Sequence, residues 1–286
     1  MTKSRRLKIG LALGSGGAKG LAHIGVIKVL EKNNIPIDFV AGSSIGALIG
    51  GFYSATKDIK QVEEIVLSTN WRQLLSLIDP SLRRGLIKGE KIKKFIEAHI
   101  GKVKFQDLKI PLSVIATDLR TGEIIPINQG EVASAIRASI SFPLIFKPVE
   151  REGRLLTDGG LSLSIPVEVV NKMGAGLVIA VNLDADYFTN KGNNKTDLGF
   201  YEIAINSINL LCHHLARWNV KNADIIVEPK LNVKKVGIVY WNKFLDGRDI
   251  ILAGELAMKK KLPQLQKLIY QKSKGSLMSK HSEFKR

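Results

Sequence analysis

Apolar and polar positions along this chain fall into short blocks with two different periods. Leu7 to Leu13 is a short apolar run, read as a buried strand. A glycine-rich turn, Gly14 to Gly20, follows it. From Leu21 to Glu31 apolar residues recur at helical spacing (Leu21, Ile24, Val26, Ile27, Leu30), and Asn33, Asn34 and Pro36 end that helix. Ile37 to Ala41 predicts a second strand. The turn Gly42-Ser43-Ser44-Ile45-Gly46 and a helix from about Ala47 come next. Strand, turn, helix, repeated, builds a mainly parallel sheet covered by helices.

The pattern continues downstream. Residues 57–104 read as mostly helical and highly charged. Leu112 to Thr117 predicts a strand, with a hairpin turn at Arg120-Thr121-Gly122-Glu123 before Ile124 and Ile125. Val132 to Ser139 reads as a helix, stopped before Pro143. Leu155 to Thr157 is a short strand ending at Asp158-Gly159-Gly160. Leu177 to Leu183 is apolar on both faces, as a central parallel strand must be. A polar loop at 190–196, a helix over 201–222, a strand at 225–227 and a closing helix over 248–270, interrupted by Pro263, complete the pattern. From Gln271 to Arg286 the chain is basic and aperiodic, read as a loose tail. The expectation is a three-layer α/β/α sandwich with a mainly parallel sheet, one domain over 1–270. Its motifs lie in 7–183 and a helical part in 200–270.

Composition narrows the class. With 286 residues, 45% hydrophobic and 24% charged, the chain suits a globular fold and excludes collagen, coiled coil and disorder. One cysteine, Cys212, excludes an intrachain disulfide and a cysteine-rich zinc site. The charge is unusual: 43 Lys+Arg against 26 Asp+Glu, a net +17, which draws the protein toward phosphates. A nucleic-acid partner would rest on that charge alone, since aromatics are 6% and no recognition motif is present, so it is set aside. Contact with an anionic membrane stays open.

Two stretches imitate membrane signals. Lys3, Arg5 and Arg6 precede an apolar run in the manner of a secretory signal, but Lys8 interrupts it and glycines close it. Phe39 to Thr56 holds no charge, yet its glycines and serines suit a strand, a sharp turn and a buried helix better than a span. The expectation is a cytoplasmic protein, soluble or peripheral to a membrane.

Three features carry chemistry. Gly14-Ser15-Gly16-Gly17-Ala18-Lys19-Gly20 joins a strand to a helix, where backbone N–H groups can face a phosphate or an oxyanion. No Gly-Lys-Ser/Thr closes it, so it is not a P-loop. It approaches the dinucleotide fingerprint, with Asp38 about 20 residues on, but Lys19 replaces the third glycine. Gly42-Ser43-Ser44-Ile45-Gly46 has the G-x-S-x-G form of a nucleophile elbow, which would present Ser44 above the sheet. Asp158-Gly159-Gly160 ends a short apolar strand. Asp158 either caps a turn or, desolvated above the usual carboxyl pKa of about 3.9, serves as a base. No histidine is placed as the third member of a triad. His23 and His99 precede Asp158, His213 and His214 lie in a helix, and His281 is in the tail.

Together and in this order, these features resemble the patatin-like phospholipase family, over about Leu7 to Val181. Ser15-Gly16-Gly17-Ala18-Lys19-Gly20 matches the family's G-G-G-x-R/K-G loop, with Ser15 for the first glycine. Gly42 to Gly46 matches its elbow and Asp158 to Gly160 its Asp-Gly-Gly motif. Arg137-Ala138-Ser139 with Pro143 is similar to its segment before the catalytic Asp, and Gly20 to Val26 to its bacterial members. The resemblance implies a Ser44–Asp158 dyad without histidine and an oxyanion hole of the Gly16 and Gly17 amides, joined by Ile45. It implies hydrolysis of lipid acyl esters with no metal and no cofactor.

Three other readings stand beside it. They are a patatin-fold protein that binds acyl ligands with little turnover, a dinucleotide-dependent oxidoreductase using Asp38, and a triad using His213 or His214. The basic stretch Trp71 to Ile100 (Arg83, Arg84, Lys88, Lys91, Lys93, Lys94) reads as a solvated helical face or as a cap meeting lipid head groups. The tail, with Lys272, Lys274, Lys280, Lys285 and Arg286, is a second candidate for anionic lipid. No oligomeric state is set.

Overall fold

The computed structural model describes residues 6–69, 88–185, 198–231 and 247–283, with side chains to 274. Its strands are β1 (Ile9–Leu13), β2 (Phe39–Ser43), β3 (Leu112–Asp118), β4 (Ile124–Ile127), β5 (Val149–Arg151), β6 (Arg154–Asp158), β7 (Leu177–Val181) and β8 (Ile225–Val227). Its helices are α1 (Ala22–Lys32), α2 (Ile45–Thr56), α3 (Ile59–Ser68), α4 (Glu90–Ile100), α5 (Val132–Ser139), α6 (Val167–Lys172), α7 (Phe200–Asn219) and α8 (Gly247–Glu283).

One eight-stranded sheet runs β5-β6-β3-β2-β1-β7-β8, with β4 on β3. The run from β3 to β8 is parallel; β4, β5 and β6 join antiparallel. β1 and β7 are buried throughout, and their alternate residues face opposite layers. Leu11, Leu13, Ile179 and Val181 pack with α1, α2, α5 and α8. Ala12, Ala180 and Val178 pack with α6 and with Ala216 and Val220 at the end of α7. The alternation thus yields the expected three-layer α/β/α sandwich.

The register of β3 is what positions the site. Ala116 and Thr117 pair with both β4 and β6, while Val114 and Ile115 pair with both β2 and β4. A strand has two edges, so β4 takes one, and β2 and β6 meet end to end on the other. Ser43 of β2 sits opposite Ile115, and Asp158 of β6 opposite the next residue, Ala116. The C-terminal ends of β2 and β6 are thereby brought side by side.

Some elements differ from the sequence reading. β6 is the strand expected at Leu155 to Thr157, whereas its hairpin partner β5 and the short α6 are too short to show a period. α8 runs through Pro263 and continues past 270 to Glu283. Lys272 there bonds Asp224 (2.6 Å) and the Gly176 carbonyl (2.8 Å), an anchor without apolar periodicity. In α4, Ile92 and Ile96 are buried while Lys91 and Lys94 face solvent, which is the solvated-face arrangement. Trp71, Arg83, Arg84, the loop at 190–196 and the side chains of Lys280, His281, Lys285 and Arg286 lie outside the described residues. Among the described residues no helix is long and apolar enough to cross a membrane.

Candidate active site

β2 ends at Ser43 and α2 begins at Ile45, so the whole change of direction falls on Ser44. Its φ is 54° and ψ −120°, a region costly for a residue with a side chain, by about 1–3 kcal/mol. Neighbouring glycines make the turn possible. A Cβ on Gly46 would overlap the Leu13 carbonyl, and one on Gly42 the Gly46 carbonyl. The Ser44 N–H donates to Ser139 Oγ at the end of α5 (2.9 Å), and Ser44 Oγ donates to Asp158 Oδ2 (2.7 Å).

Asp158 is 2% exposed. Burial pushes its carboxyl up from 3.8 to about 6, against the pull of the Ser44 hydroxyl and the Gly160 N–H. The latter donates to Oδ1 at 2.8 Å. Gly159 and Gly160 keep this corner tight. Gly159 lies against the Ile115 carbonyl and Ser43, and Gly160 against Ser15 of the glycine-rich loop.

That loop leaves β1 with Gly16 at φ 152° and Gly17 at φ 55°. The Gly14 N–H donates to the Val181 carbonyl (3.2 Å), the Ser15 N–H to the Ser164 carbonyl (2.9 Å), and the Ser15 and Ser164 hydroxyls share a bond of 2.7 Å. Lys19 reaches across to Asp184 (2.6 Å) and the Leu183 carbonyl (2.9 Å). Gly20 packs on the Ile45 side chain, which brings the loop to the start of α2. Among the described residues, the Gly16, Gly17 and Ile45 amides have no acceptor. Hydroxyl, buried carboxylate and glycine-rich loop therefore share one corner at the C-terminal ends of β1 and β2.

The histidines serve elsewhere. His23 is fully buried, and its Nε2 donates to the Gly14 carbonyl (2.8 Å); burial lowers its pKa to about 4, so it stays neutral. It braces the loop from beneath. His213 Nδ1 donates to the Asp184 carbonyl (2.6 Å), and His214 stacks edge-on against His213. His99 bonds the Phe95 carbonyl within α4. Ser44 bonds Asp158 directly, with no imidazole between them. Cys212 Sγ donates to the Gly160 carbonyl (3.4 Å), and burial beside Asp158 and Asp184 pushes the thiol up to about 12, so it is no nucleophile.

Asp38, the candidate ribose acid, lies at the opposite end of the sheet. It bonds Arg6 (2.6 Å), Lys8 (2.9 Å) and the Ile9 N–H (2.9 Å) at the start of β1, a strand's length from the glycine-rich loop. Its acceptor capacity is taken up there. Among the described residues no three His, Cys, Asp or Glu side chains are grouped to hold a metal ion.

Sequence reasoning missed the supports. Ser139 holds the Ser44 amide. Arg137, 3% exposed, donates to Ser141 Oγ (2.6 Å) and to the carbonyls of Lys88 (2.6 Å) and Lys147 (3.1 Å). The Ser141 carbonyl in turn accepts the Asp158 N–H (3.2 Å) and Thr157 Oγ1 (2.8 Å). The sequence marks Arg137-Ala138-Ser139 as a segment, but only distance in space assigns the roles. Arg137→Leu removes a buried guanidinium that ties the Lys88 and Lys147 carbonyls to Ser141, so chemical denaturation should read a loss of about 3 kcal/mol. Arg137→Lys should recover little of it, because an ammonium cannot span the fork.

The sequence model of the patatin-like phospholipase family matches residues 11–171. An uncharacterised NTE family protein of Mycobacterium tuberculosis is 40% identical over 178 residues, 62% of this chain and 49% of that protein. Lysophospholipase NTE1 of Yarrowia lipolytica is 34% identical over 181 residues, 61% of this chain and 12% of that protein. This chain thus spans about half the length, or less, of these curated relatives. The crystal structure of VipD from Legionella pneumophila superposes with a TM-score of 0.52 at 14% identity, over 91% of this chain and 67% of VipD, a likeness of fold.

Proposed function

This chain belongs to the patatin-like phospholipase family, and from that premise we propose that it hydrolyses fatty-acyl esters of lipids through Ser44 and Asp158. The observation that carries the reading is the 2.7 Å hydrogen bond from Ser44 Oγ, on its positive-φ turn, to a buried carboxylate.

Asp158 takes the Ser44 proton as the hydroxyl oxygen attacks the ester carbonyl. A carboxyl near pKa 6 is a stronger base than an ordinary one and is still ionised at neutral pH. The Gly160 N–H keeps Oδ1 occupied, which leaves Oδ2 for the proton. The Gly16 and Gly17 amides, with that of Ile45, hold the oxyanion, each donor worth about 2.7–4 kcal/mol. The alcohol leaves with the proton. Water, deprotonated by Asp158, then releases the fatty acid from Ser44. The named relative from Yarrowia lipolytica, a lysophospholipase, supports a lipid ester as substrate. Phospholipid, lysophospholipid and acylglycerol all present the required carbonyl.

Hydrolysis of p-nitrophenyl acyl esters of rising chain length, with and without EDTA, tests the reading. Turnover that resists EDTA and favours a long acyl chain is expected. No turnover by the folded chain would move it to an acyl-binding role. The pH dependence should be one-sided. kcat/KM should fall about tenfold per pH unit below about 6, as Asp158 takes up a proton, and stay level above. A profile with no inflection near 6 would remove Asp158 as the base.

A further inference from the structure

We infer that the outer face of α7 is a docking surface for an anionic lipid bilayer, holding the site against its substrate. The choice of a lipid surface as occupant rests on the lipid-ester reading above; the face itself is independent of it.

α7 has two opposed sides. The inner one is tied to the site: Tyr201 Oη donates to the Leu144 carbonyl (2.8 Å), Cys212 to the Gly160 carbonyl and His213 to the Asp184 carbonyl. The Asn219 side chain accepts the Ile165 N–H (3.3 Å), and Ala216 and Val220 enter the core. Two of these contacts fall on Gly160, which bonds Asp158, and on Asp184, which holds Lys19. The helix is thus fixed relative to both halves of the site.

The outer side carries large exposed apolar residues, with Asn206, Ser207 and His214 exposed between them. Phe200 is 84% exposed, Ile203 51%, Leu211 69% and Trp218 68%. At 100° per residue, Phe200, Leu211 and Trp218 share one line along the helix, opposite the buried Ile205, Ala216 and Val220. Isolated exposed apolar residues need no explanation, but an aligned set on one helix marks an interaction surface.

Charge selects the occupant. Arg217 and Lys221 flank the stripe, and Lys221 Nζ lies 3.0 Å over the Trp218 ring. The single acid of the helix, Glu202, is used at its start, bonding the Gly199 N–H (3.3 Å). Apolar residues along one line, a terminal tryptophan and flanking cations suit a helix lying in the plane of a bilayer surface. A second copy would bring +17 against +17 and offer no acid on this face to meet Arg217 and Lys221.

The test is sedimentation of the full chain with vesicles of phosphatidylcholine alone, or mixed with phosphatidylglycerol, beside hydrolysis of a water-soluble short-chain p-nitrophenyl ester. Wild type should sediment with the mixed vesicles and be released by salt. Leu211→Asp with Trp218→Asp should weaken binding about tenfold or more, and Arg217→Glu with Lys221→Glu should weaken it on the mixed vesicles alone. Short-chain hydrolysis should stay at the wild-type rate in both, since the changes are on the solvent side. Vesicle binding unchanged by both pairs would overturn the inference. So would a wild-type dimer that Leu211→Asp with Trp218→Asp turns into a monomer, which would assign the stripe to a second copy. Vesicle binding without any short-chain hydrolysis in wild type would instead count against the catalytic reading and leave the surface standing.

Discussion

Ser44→Ala is expected to lower ester hydrolysis by about 10,000-fold or more, with the fold retained. The reason is that, among the described residues, no other hydroxyl in the corner bonds Asp158: Ser15 bonds Ser164, and Ser139 accepts the Ser44 N–H. Cys212 is held as a thiol with its pKa at about 12, and Ser43 is buried within β2. Removing a nucleophile that works with a base and an oxyanion hole removes nearly the whole gain of the group, as seen generally when members of such a unit are deleted. The accompanying measurement is labelling by a fluorophosphonate, read by mass spectrometry. Wild type should gain the adduct on Ser44, and Ser44→Ala should gain none. Activity within tenfold of wild type would remove Ser44 from the mechanism.

Asp158→Asn should cut activity by about 1,000-fold or more, since an amide cannot accept the Ser44 proton, yet raise stability at neutral pH. Folding moves this carboxyl from 3.8 to about 6. Below about pH 4 it is protonated in both folded and unfolded chains, and burial costs nothing in charge. Between about 4 and 6 the unfolded carboxyl ionises and the folded one does not, so stability falls as pH rises; above about 6 the penalty is complete, at about 3 kcal/mol. Asparagine escapes it. Its carbonyl can keep the Gly160 N–H, and its NH2 can donate to Ser44 Oγ. The melting curves of wild type and Asp158→Asn should therefore coincide near pH 4 and part as the pH rises to 6, with the variant the more stable. A gap that is constant with pH would contradict a buried ionised Asp158. Opposite signs for activity and stability at one position are what a strained catalytic group produces.

The rival readings separate on the same physical grounds. Asp38 follows the glycine-rich loop at the sequence spacing of a ribose-binding acid, but β1 carries the two to opposite ends of the sheet. His213 and His214 follow Asp158 in the order a triad requires, but α7 aims His213 at the Asp184 carbonyl. Spacing along the chain constrains only what is local.

Most of the first half of the fold was local in this sense. Leu7 to Leu13, Leu21 to Glu31 and the uncharged run before Gly42 each declare strand or helix by period, and a positive φ or a missing Cβ restricts Gly16, Gly42 and Gly46 to glycine. Those requirements act within a few residues, so the loop, the elbow and the alternating α/β order were legible from the chain alone. The pairing of Ser44 with Asp158 was not. Its two members are 114 residues apart, and they meet because β4 occupies one edge of β3 and forces β2 and β6 onto the other. The same holds for Ser139 under the Ser44 amide, Arg137 behind Asp158, His23 beneath Gly14 and Lys19 across to Asp184. Hydrogen bonds between distant segments leave no period and no spacing to read. The sequence by itself determined which residues can form a sharp turn, a donor-lined loop and a desolvated carboxyl. The tertiary structure alone decided that these share one corner, because strand register and helix packing are properties of the folded whole.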